Sequence, residues 1–313
     1  MKCLILGGAG FIGSHLAEGL LQAGHHVRIF DRPNVIRPSM LATDPRVEWL
    51  EGDFTNEEDV SRILPGCDTI FHLAYTTLPR SSNDNPIYDV QTNLIGSLRL
   101  LDLAKAAAVR KIIFVSSGGT VYGATQSDPI AETHPTDPIV SYGITKLAIE
   151  KYLHMYSALY GVAYCVLRLA NPFGERQRVA AAQGAVTVFL HKALHGETIE
   201  IWGDGSVRRD YIYIKDVVDA FLRALSHAGG QRVFNIGSGH GRSLNEILAA
   251  IEQLLGRPVA RVHKPARSFD VPSNVLDIKR ARDILGWAPT IPFSEGLART
   301  LDWLREESCD SAR

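Results

Sequence analysis

Tyr142 and Lys146 stand one helical turn apart, so their side chains leave the same helix face. An ammonium beside a phenol favours the phenolate and lowers its pKa from about 10 toward neutrality. A phenolate so placed takes the proton from an alcohol as hydride leaves the same carbon. The spacing alone is weak, because an exposed helix pair would read the same way. Its position sharpens it. The pair opens a helix after the fifth strand pattern, whose end carries Ser116-Ser117-Gly118-Gly119-Thr120.

A dinucleotide would supply the hydride acceptor, and the start of the chain has a place for one. Lys2-Cys3-Leu4-Ile5-Leu6 reads as a buried strand and the residues from Ser14 onward as an amphipathic helix. Between them runs Gly7-Gly8-Ala9-Gly10-Phe11-Ile12-Gly13. Strand, glycine turn and helix form the context in which such a string binds a dinucleotide. Absent side chains let backbone N–H groups approach the pyrophosphate, and the helix N-terminus adds positive partial charge. Asp31 ends the second strand pattern, eighteen residues after Gly13, near the ~20-residue offset of the ribose-binding acid. A carboxylate there accepts from both ribose hydroxyls and repels a 2′-phosphate. NAD is therefore favoured over NADP, although Arg32 could tolerate that phosphate. As a mere turn residue before Pro33, Asp31 would have no such role. Asp53 and Phe54 follow the third strand and are placed for the adenine. Leu73, Ala74 and Tyr75 follow the fourth, at the sheet edge where ligands bind. His72 lies within a strand and reads as a packed core histidine.

The elements that must hold these residues alternate. Strand patterns fall at 3–6, 27–30, 47–50, 69–73, 112–116 and 164–169, with helical patterns at 12–23, 57–63, 90–107 and 142–160. That rhythm predicts an α/β fold, a Rossmann-type doubly wound parallel sheet covered on both faces. After Asn171-Pro172-Phe173-Gly174 the rhythm breaks. A loop over 175–184 leads to patterns for a helix at 186–195, strands at 198–202 and 211–214, a helix at 216–226, a strand at 233–236 and a helix at 244–255. Pro258, Pro265 and Pro272 interrupt the next stretch of chain, and a helix near 294–305 precedes a polar tail expected to fray. Residues 1–170 therefore read as an NAD-binding domain, rejoined by about 211–236. Residues 171–313 read as a smaller, mixed α/β substrate domain.

Bulk properties bound the partners. The 313 residues are 45% hydrophobic, enough for a large core in one or two domains, and carry a net charge of −1. No basic stripe points to nucleic acid. Cys3, Cys67, Cys165 and Cys309 are scattered without C-x-x-C spacing, which fits a reduced cytoplasmic setting better than disulfides or a metal site. His15 and Glu18 interrupt the first apolar run, so it does not read as a secretion signal. No run of eighteen apolar residues points to a membrane.

Taken together, the motifs resemble the extended short-chain dehydrogenase/reductase family, and within it the nucleotide-sugar 4-epimerases. The pieces that match are the 7–13 turn, Asp31, Asp53, Asn93, the run Ser-Ser-Gly-Gly-Thr-Val-Tyr-Gly at 116–123, Tyr142-Gly-Ile-Thr-Lys146, Asn171-Pro-Phe-Gly174, Arg209-Asp-Tyr211 and Arg267-x-x-Asp270. They cover nearly the whole chain. They are highly specific for the family and less so for the reaction. The resemblance implies that Tyr142 acts as base and acid, and that Lys146 also binds the nicotinamide ribose. It implies a sugar oxidised at C4 to a ketone and reduced on its other face, with NAD as a bound catalyst. It places Asn93 and Ser116 in the cofactor set. It gives Asn171, Arg209 and Arg267 to a diphosphate, with Asp270 beside them, in keeping with the two-pronged contacts arginines make to phosphate. Trp202 falls where the family packs the nucleotide base, and a core tryptophan is an equal reading.

Two departures matter. Many epimerases carry Ser or Thr at the position of Gly118, bonded to the reacting hydroxyl, so here either Ser117, Thr120 or a water does that job, or proton transfer is less assisted. The Asp-Glu pair of the family's 4,6-dehydratases is missing at Gly119 and Thr120, which disfavours dehydration, and decarboxylating relatives usually carry the Glu. Asn274 matches a sugar-pocket position that a bulky Tyr fills in some members, so a 2-acetamido group would fit. The expected activity is thus an NAD-dependent epimerase inverting C4 of a nucleotide-sugar, a UDP-hexose or UDP-N-acetylhexosamine. A nucleotide-4-keto-sugar reductase is the alternative, and a non-catalytic NAD-binding regulator comes third. Relatives pair the helices at 90–107 and 142–160 into a dimer bundle. Leu94, Leu98 and Leu101 supply an apolar stripe that would suit a homodimer, or equally the chain's own sheet.

Overall fold

The structure, a computed structural model, describes residues 1–310 apart from 80, 126, 180–183 and 267–270. Short apolar runs become parallel strands, buried on both faces except at the edge strand Val47–Glu51. Seven of them form one sheet: β1 (Lys2–Leu6), β2 (His26–Asp31), β3 (Val47–Glu51), β4 (Thr69–His72), β5 (Lys111–Ser117), β6 (Ala163–Leu169) and β10 (Val233–Ile236). Their spatial order is β3-β2-β1-β4-β5-β6-β10, every pair parallel. The order reverses between β1 and β4, so a crevice opens beyond their carboxyl ends, where doubly wound sheets bind ligands.

Side chains alternate across the sheet, as a period of two requires. Cys3, Ile5, Val27, Ile29, Phe71, Ile113 and Cys165 enter one core with Leu16 and Leu20 of α1 (Phe11–Gln22). Leu4, Leu6, Phe30, Ile70, Ile112 and Phe114 enter the other. There they meet α3 (Glu57–Ile63), α5 (Gly96–Ala106) and α6 (Ser141–Tyr160), with α4 (Pro86–Asp89) as a single turn nearby, whereas the single turn α2 (Ser39–Ala42) puts Leu41 into the first core beside α1. The helix expected at 90–107 is longer and less regular: α4 runs into a π-helical stretch, Val90–Ile95, and then into α5. Leu101 is buried there, and Leu94 and Leu98 pack against the same core. The stripe proposed for a subunit contact therefore faces the chain's own sheet.

The second half builds two smaller sheets. In one, β9 (Arg208–Tyr213) pairs with β7 (Asn171–Phe173), β11 (Gly241–Ser243) and β13 (Ser273–Asn274). In the other, β8 (Ile199–Trp202) pairs with β12 (Arg261–Lys264). Helices α7 (Ala185–Leu194), α9 (Leu244–Leu255), α10 (Lys279–Leu285) and α11 (Phe293–Asp310) pack around them. Helix α8 (Ile214–Ser226) and β10 return to the large sheet. Of the stretch 211–236, then, the strand ending at Tyr213 belongs to the small sheet and the remainder to the large one. Helix α8 lies close on α1 because residue 19 is glycine: a Cβ there would sit 2.4 Å from Val218 Cγ1.

Candidate active site

Gly7 adopts φ +83°, and a Cβ on it would approach Ala74 N to 3.0 Å. A Cβ on Gly13 would lie 2.3 Å from Gly7 O. Side chains are thus excluded where β1 turns into α1, and the helix start closes onto the turn. This cradle fits a dinucleotide pyrophosphate, with Phe11, Ile12 and Gly13 presenting backbone N–H groups, while Gly10 N donates to Gly7 O at 3.2 Å and closes the turn. A groove of about 250 Å³ continues from it, lined by Gly7, Gly10, Asp31, Arg32, Asp53, Phe54, Leu73, Ala74 and Tyr75. Asp31 Oδ2 accepts from Ala9 N at 2.9 Å and Oδ1 from Arg32 N at 2.9 Å. Each oxygen keeps a second lone pair for a ribose hydroxyl. Asp53 Oδ1 accepts from Thr55 N and Oγ1, both at 2.8 Å.

Two residues expected at the cofactor act behind the groove instead. Asn93 is buried, its Oδ1 accepting from Thr76 N and Oγ1, its Nδ2 donating to Thr77 Oγ1 and Asp89 Oδ1. All four capacities of the amide are used inside the protein. Ser116 donates its hydroxyl hydrogen to Glu150 Oε1 at 2.5 Å, so its side chain has no donor left for a ligand. His72 is the core histidine expected: buried beside Phe54 and Phe114, bonded to Ser97 Oγ at 2.8 Å, and pushed down to about 3 by burial and Lys146.

Tyr142 opens α6 at the lip of the groove. Its ring meets that of Tyr75 edge-on, with centroids 4.7 Å apart. Lys146 Nζ lies 4.0 Å from the Tyr75 ring centroid and 5.6 Å from that of Tyr142, and donates to Val115 O at 2.7 Å. The pair is together, but the expected electrostatics are corrected. Burial, with a smaller push from Asp89, raises the phenol above its ordinary range. Burial lowers Lys146 to about 7, partly opposed by Glu150 and Asp89. Desolvation disfavours both charged forms and outweighs the attraction inferred from spacing.

The loop after β5 supplies the neighbouring hydroxyls. Ser117 is half-buried; its carbonyl accepts from Thr120 N and Val121 N. Thr120 Oγ1 is buried without a hydrogen-bond partner among the described residues. A Cβ on Gly118 would strike Leu276 Cδ1 at 2.5 Å, so the leucine fills the space of the side chain missing there. Asn274 is buried in β13; its Nδ2 donates to Gly118 O at 3.2 Å.

In the second half, Asn171 Nδ2 donates to Asp210 O at 2.9 Å and Arg209 Nη1 to Val271 O at 2.7 Å. Trp202 ends β8 with 39% of its surface exposed, which removes the core reading. Arg267 and Asp270 lie outside the described residues. Sequence reasoning missed two buried groups behind the site. One is Asp89. The other is the Glu150–Arg168 pair, at 2.6 Å. Glu150 follows Lys146 by one turn on the same face, a signal that was there to read.

A switch-point groove below a glycine cradle, with a tyrosine and a lysine on the adjoining helix, defines a dinucleotide-dependent enzyme of Rossmann type. A model of the NAD dependent epimerase/dehydratase family matches residues 3–237, and the chain belongs to that family. It is 38% identical over 313 residues to a UDP-glucose 4-epimerase of Mycolicibacterium smegmatis, covering 98% of this chain and 100% of that one. It is 33% identical over 315 residues to a dTDP-4-dehydro-6-deoxyglucose reductase of Escherichia coli, covering 96% and 97%. Among solved structures, the UDP-glucose 4-epimerase of Thermotoga maritima with UDP-glucose superposes with a TM-score of 0.93 at 37% identity, covering 98% and 100%.

Proposed function

We propose that the protein is an NAD-dependent nucleotide-sugar 4-epimerase that inverts C4 of a UDP-hexose. The observation that carries this reading is the placement of Tyr142 against Tyr75, which sets a phenol at the rim of the cofactor groove. The 7–13 turn, Asp31 and the groove would hold NAD, which when bound would supply a reversible hydride acceptor for C4. Tyr142, as phenolate, would take the proton of the C4 hydroxyl, hold it while the carbon is a ketone and give it back; burial opposes that phenolate, so the positive charge of a bound nicotinamide would have to favour it. Lys146 stands buried behind that rim, against the Tyr75 ring. Ser117 and Thr120, on either side of Gly118, are the hydroxyls that would stand in for the side chain missing there. Asn171 and Arg209 hold the diphosphate and Trp202 the base, with Arg267 and Asp270 completing that set.

Purified protein, denatured, should release NAD, and proton NMR should show C4 inversion of at least one sugar among UDP-, dTDP- and GDP-sugars. Tyr142→Phe should lower that rate by about 10²- to 10⁴-fold with the NAD retained. An unchanged rate in Tyr142→Phe would remove the phenol from the chemistry, and a wild type that releases NAD but inverts no sugar would leave only a non-catalytic NAD-binding role. The E. coli relative supports a second reading, a net reductase. NADPH consumed in step with a 4-keto-sugar, with no NAD retained, would favour it.

We read the enzyme as a cytoplasmic homodimer. No helix among the described residues is long and apolar enough to cross a membrane. Ile95 before α5 and Ile144, Met155 and Leu159 on α6 are exposed and suit a contact between two copies. Sedimentation equilibrium should give twice the chain mass, and Ile144→Asp should reduce it.

A further inference from the structure

Asp89 is fully buried at the end of α4. Its Oδ1 accepts from Thr77 Oγ1 and from Asn93 Nδ2, the latter at 2.9 Å. Its Oδ2 accepts from Ser141 Oγ at 2.7 Å and Thr145 Oγ1 at 3.0 Å. The first two donors belong to the groove side, where Asn93 also holds Thr76 N at 2.9 Å. The other two are the first and fifth residues of α6, on either side of Tyr142. Thr145 Oγ1 also bonds the hydroxyl of Tyr75. One carboxylate thus joins the groove wall to the turn that carries the phenol.

Helix α6 needs this help. Its N-cap, Val140, has no side-chain acceptor for the first N–H groups. They are met from the same region of the chain instead, Ser141 N donating to Asn83 Oδ1 at 2.9 Å and Tyr142 N to Ser82 Oγ at 3.0 Å. A buried anion at a helix N-terminus is favourable, and four donors balance its desolvation. Burying a carboxylate only to fasten two segments would be unnecessary, because apolar packing does that without the desolvation cost. Directional bonds at residues 141 and 145, by contrast, set the rotation of the first turn about its axis.

We propose that Asp89 is a positioning residue for the reaction: its carboxylate locks the first turn of α6 to the groove wall and so fixes Tyr142 against the bound cofactor. The inference rests on the reading of Tyr142 as acid and base. The groups that face the phenol are Tyr75, Lys146 and Asp89, with Glu150 behind Lys146. Asp89 pushes the phenol's pKa up, so removing its charge should lower it.

The test is Asp89→Asn, whose shape is conserved and whose hydroxyl neighbours can reverse their bonds. In the holoenzyme, kcat for C4 inversion should fall roughly tenfold or more, the scale of a misplaced reacting group. KM for the UDP-sugar should hold within about threefold, because no substrate contact is removed. With [ζ-13C]tyrosine incorporated and the Tyr142 signal assigned by Tyr142→Phe, its titration midpoint should move to lower pH. Should Asp89→Asn not fold, Thr145→Ala removes the hydroxyl shared by Asp89 and Tyr75 and should lower kcat in the same sense, by a smaller factor. A variant that folds less stably but keeps the wild-type kcat and Tyr142 titration would overturn the proposal and leave Asp89 a structural residue. That outcome is distinct from failure of the functional reading, in which the wild-type protein itself inverts no sugar.

Discussion

Leu276 occupies the volume that a side chain on Gly118 would need. A Cβ at 118 would lie 2.5 Å from Leu276 Cδ1, 2.9 Å from Cδ2 and 3.2 Å from Leu169 O. The glycine and the leucine are one packing decision. Gly118→Ser should therefore destabilise by about 1–3 kcal/mol through overpacking. Leu276→Ala alone should cost about 2–5 kcal/mol for the cavity it leaves. Together they should cost less than the sum, because the serine enters the space the leucine vacates. Urea unfolding of the four proteins measures the coupling, and strict additivity would show that the two sites do not share that volume.

Trp202 tests the nucleotide end. Exposed at the end of β8, it contributes little to the core, so Trp202→Ala should leave the unfolding free energy within about 0.5 kcal/mol. Loss of an aromatic platform for a base is worth about 1–3 kcal/mol. KM for the UDP-sugar should therefore rise about tenfold while kcat stays within about twofold. An unchanged KM would remove the indole from the nucleotide site.

Local features were legible in the sequence before the fold was known. Strands β1, β4 and β5 carry continuous apolar runs, and β2, β3 and β6 are apolar runs each interrupted by one charged residue, Arg28, Glu48 or Arg168; bounded by glycine, proline or polar residues, such runs have few other places to go. The 7–13 turn needs only its own glycines and flanking elements. Helix α10 escaped because only Ala281 and Leu285 are buried along its seven residues and prolines crowd the approach. Strands β7, β11 and β13 span two or three residues, too few to show a period. Leu94, Leu98 and Leu101 form a true stripe, but a stripe does not say which surface it meets. Asp89 depends on partners at 77, 93, 141 and 145, which only the fold brings together. Spacing set Tyr142 beside Lys146 correctly and misjudged their charges, because spacing carries no information about desolvation.

His15 makes part of the fold sensitive to acid. Its Nε2 faces Glu175 O at 2.9 Å and its Nδ1 faces Arg176 Nη2 at 2.7 Å. Burial, then the neighbouring guanidinium, lower its pKa to about 3 from the ordinary 6.5. The folded form thus binds fewer protons than the unfolded chain between those values, and stability falls as pH drops from 6.5 toward 3. His15→Gln cannot titrate. Between pH 6.5 and 4.5 it should lose less unfolding free energy than the wild type, by on the order of 1–2 kcal/mol. Parallel losses in the two proteins would mean that His15 already carries its proton when folded.

The Glu150–Arg168 pair separates what an ion pair contributes from what breaking it costs. Glu150 Oε1 accepts from Ser116 Oγ and from Arg168 Nε, and Oε2 accepts from Arg168 Nη2 at 2.6 Å. The guanidinium stands 4.9 Å from the Tyr122 ring, and Nη1 is buried without a hydrogen-bond partner among the described residues. Burial opposes the charge on Arg168, and its bonds to Glu150 overcome that, holding it above its usual range. Arg168→Met would leave the carboxylate buried with Ser116 as its main donor, and should cost about 3–5 kcal/mol. Arg168→Met combined with Glu150→Leu removes both charges and should recover most of that loss, because an apolar pair of similar volume avoids both desolvation penalties. Chemical denaturation decides it. A single variant within about 1 kcal/mol of wild type would mean that water reaches the pair and screens it. A double variant as unstable as Arg168→Met would mean that the network is needed for its directional bonds, with charge pairing a minor part.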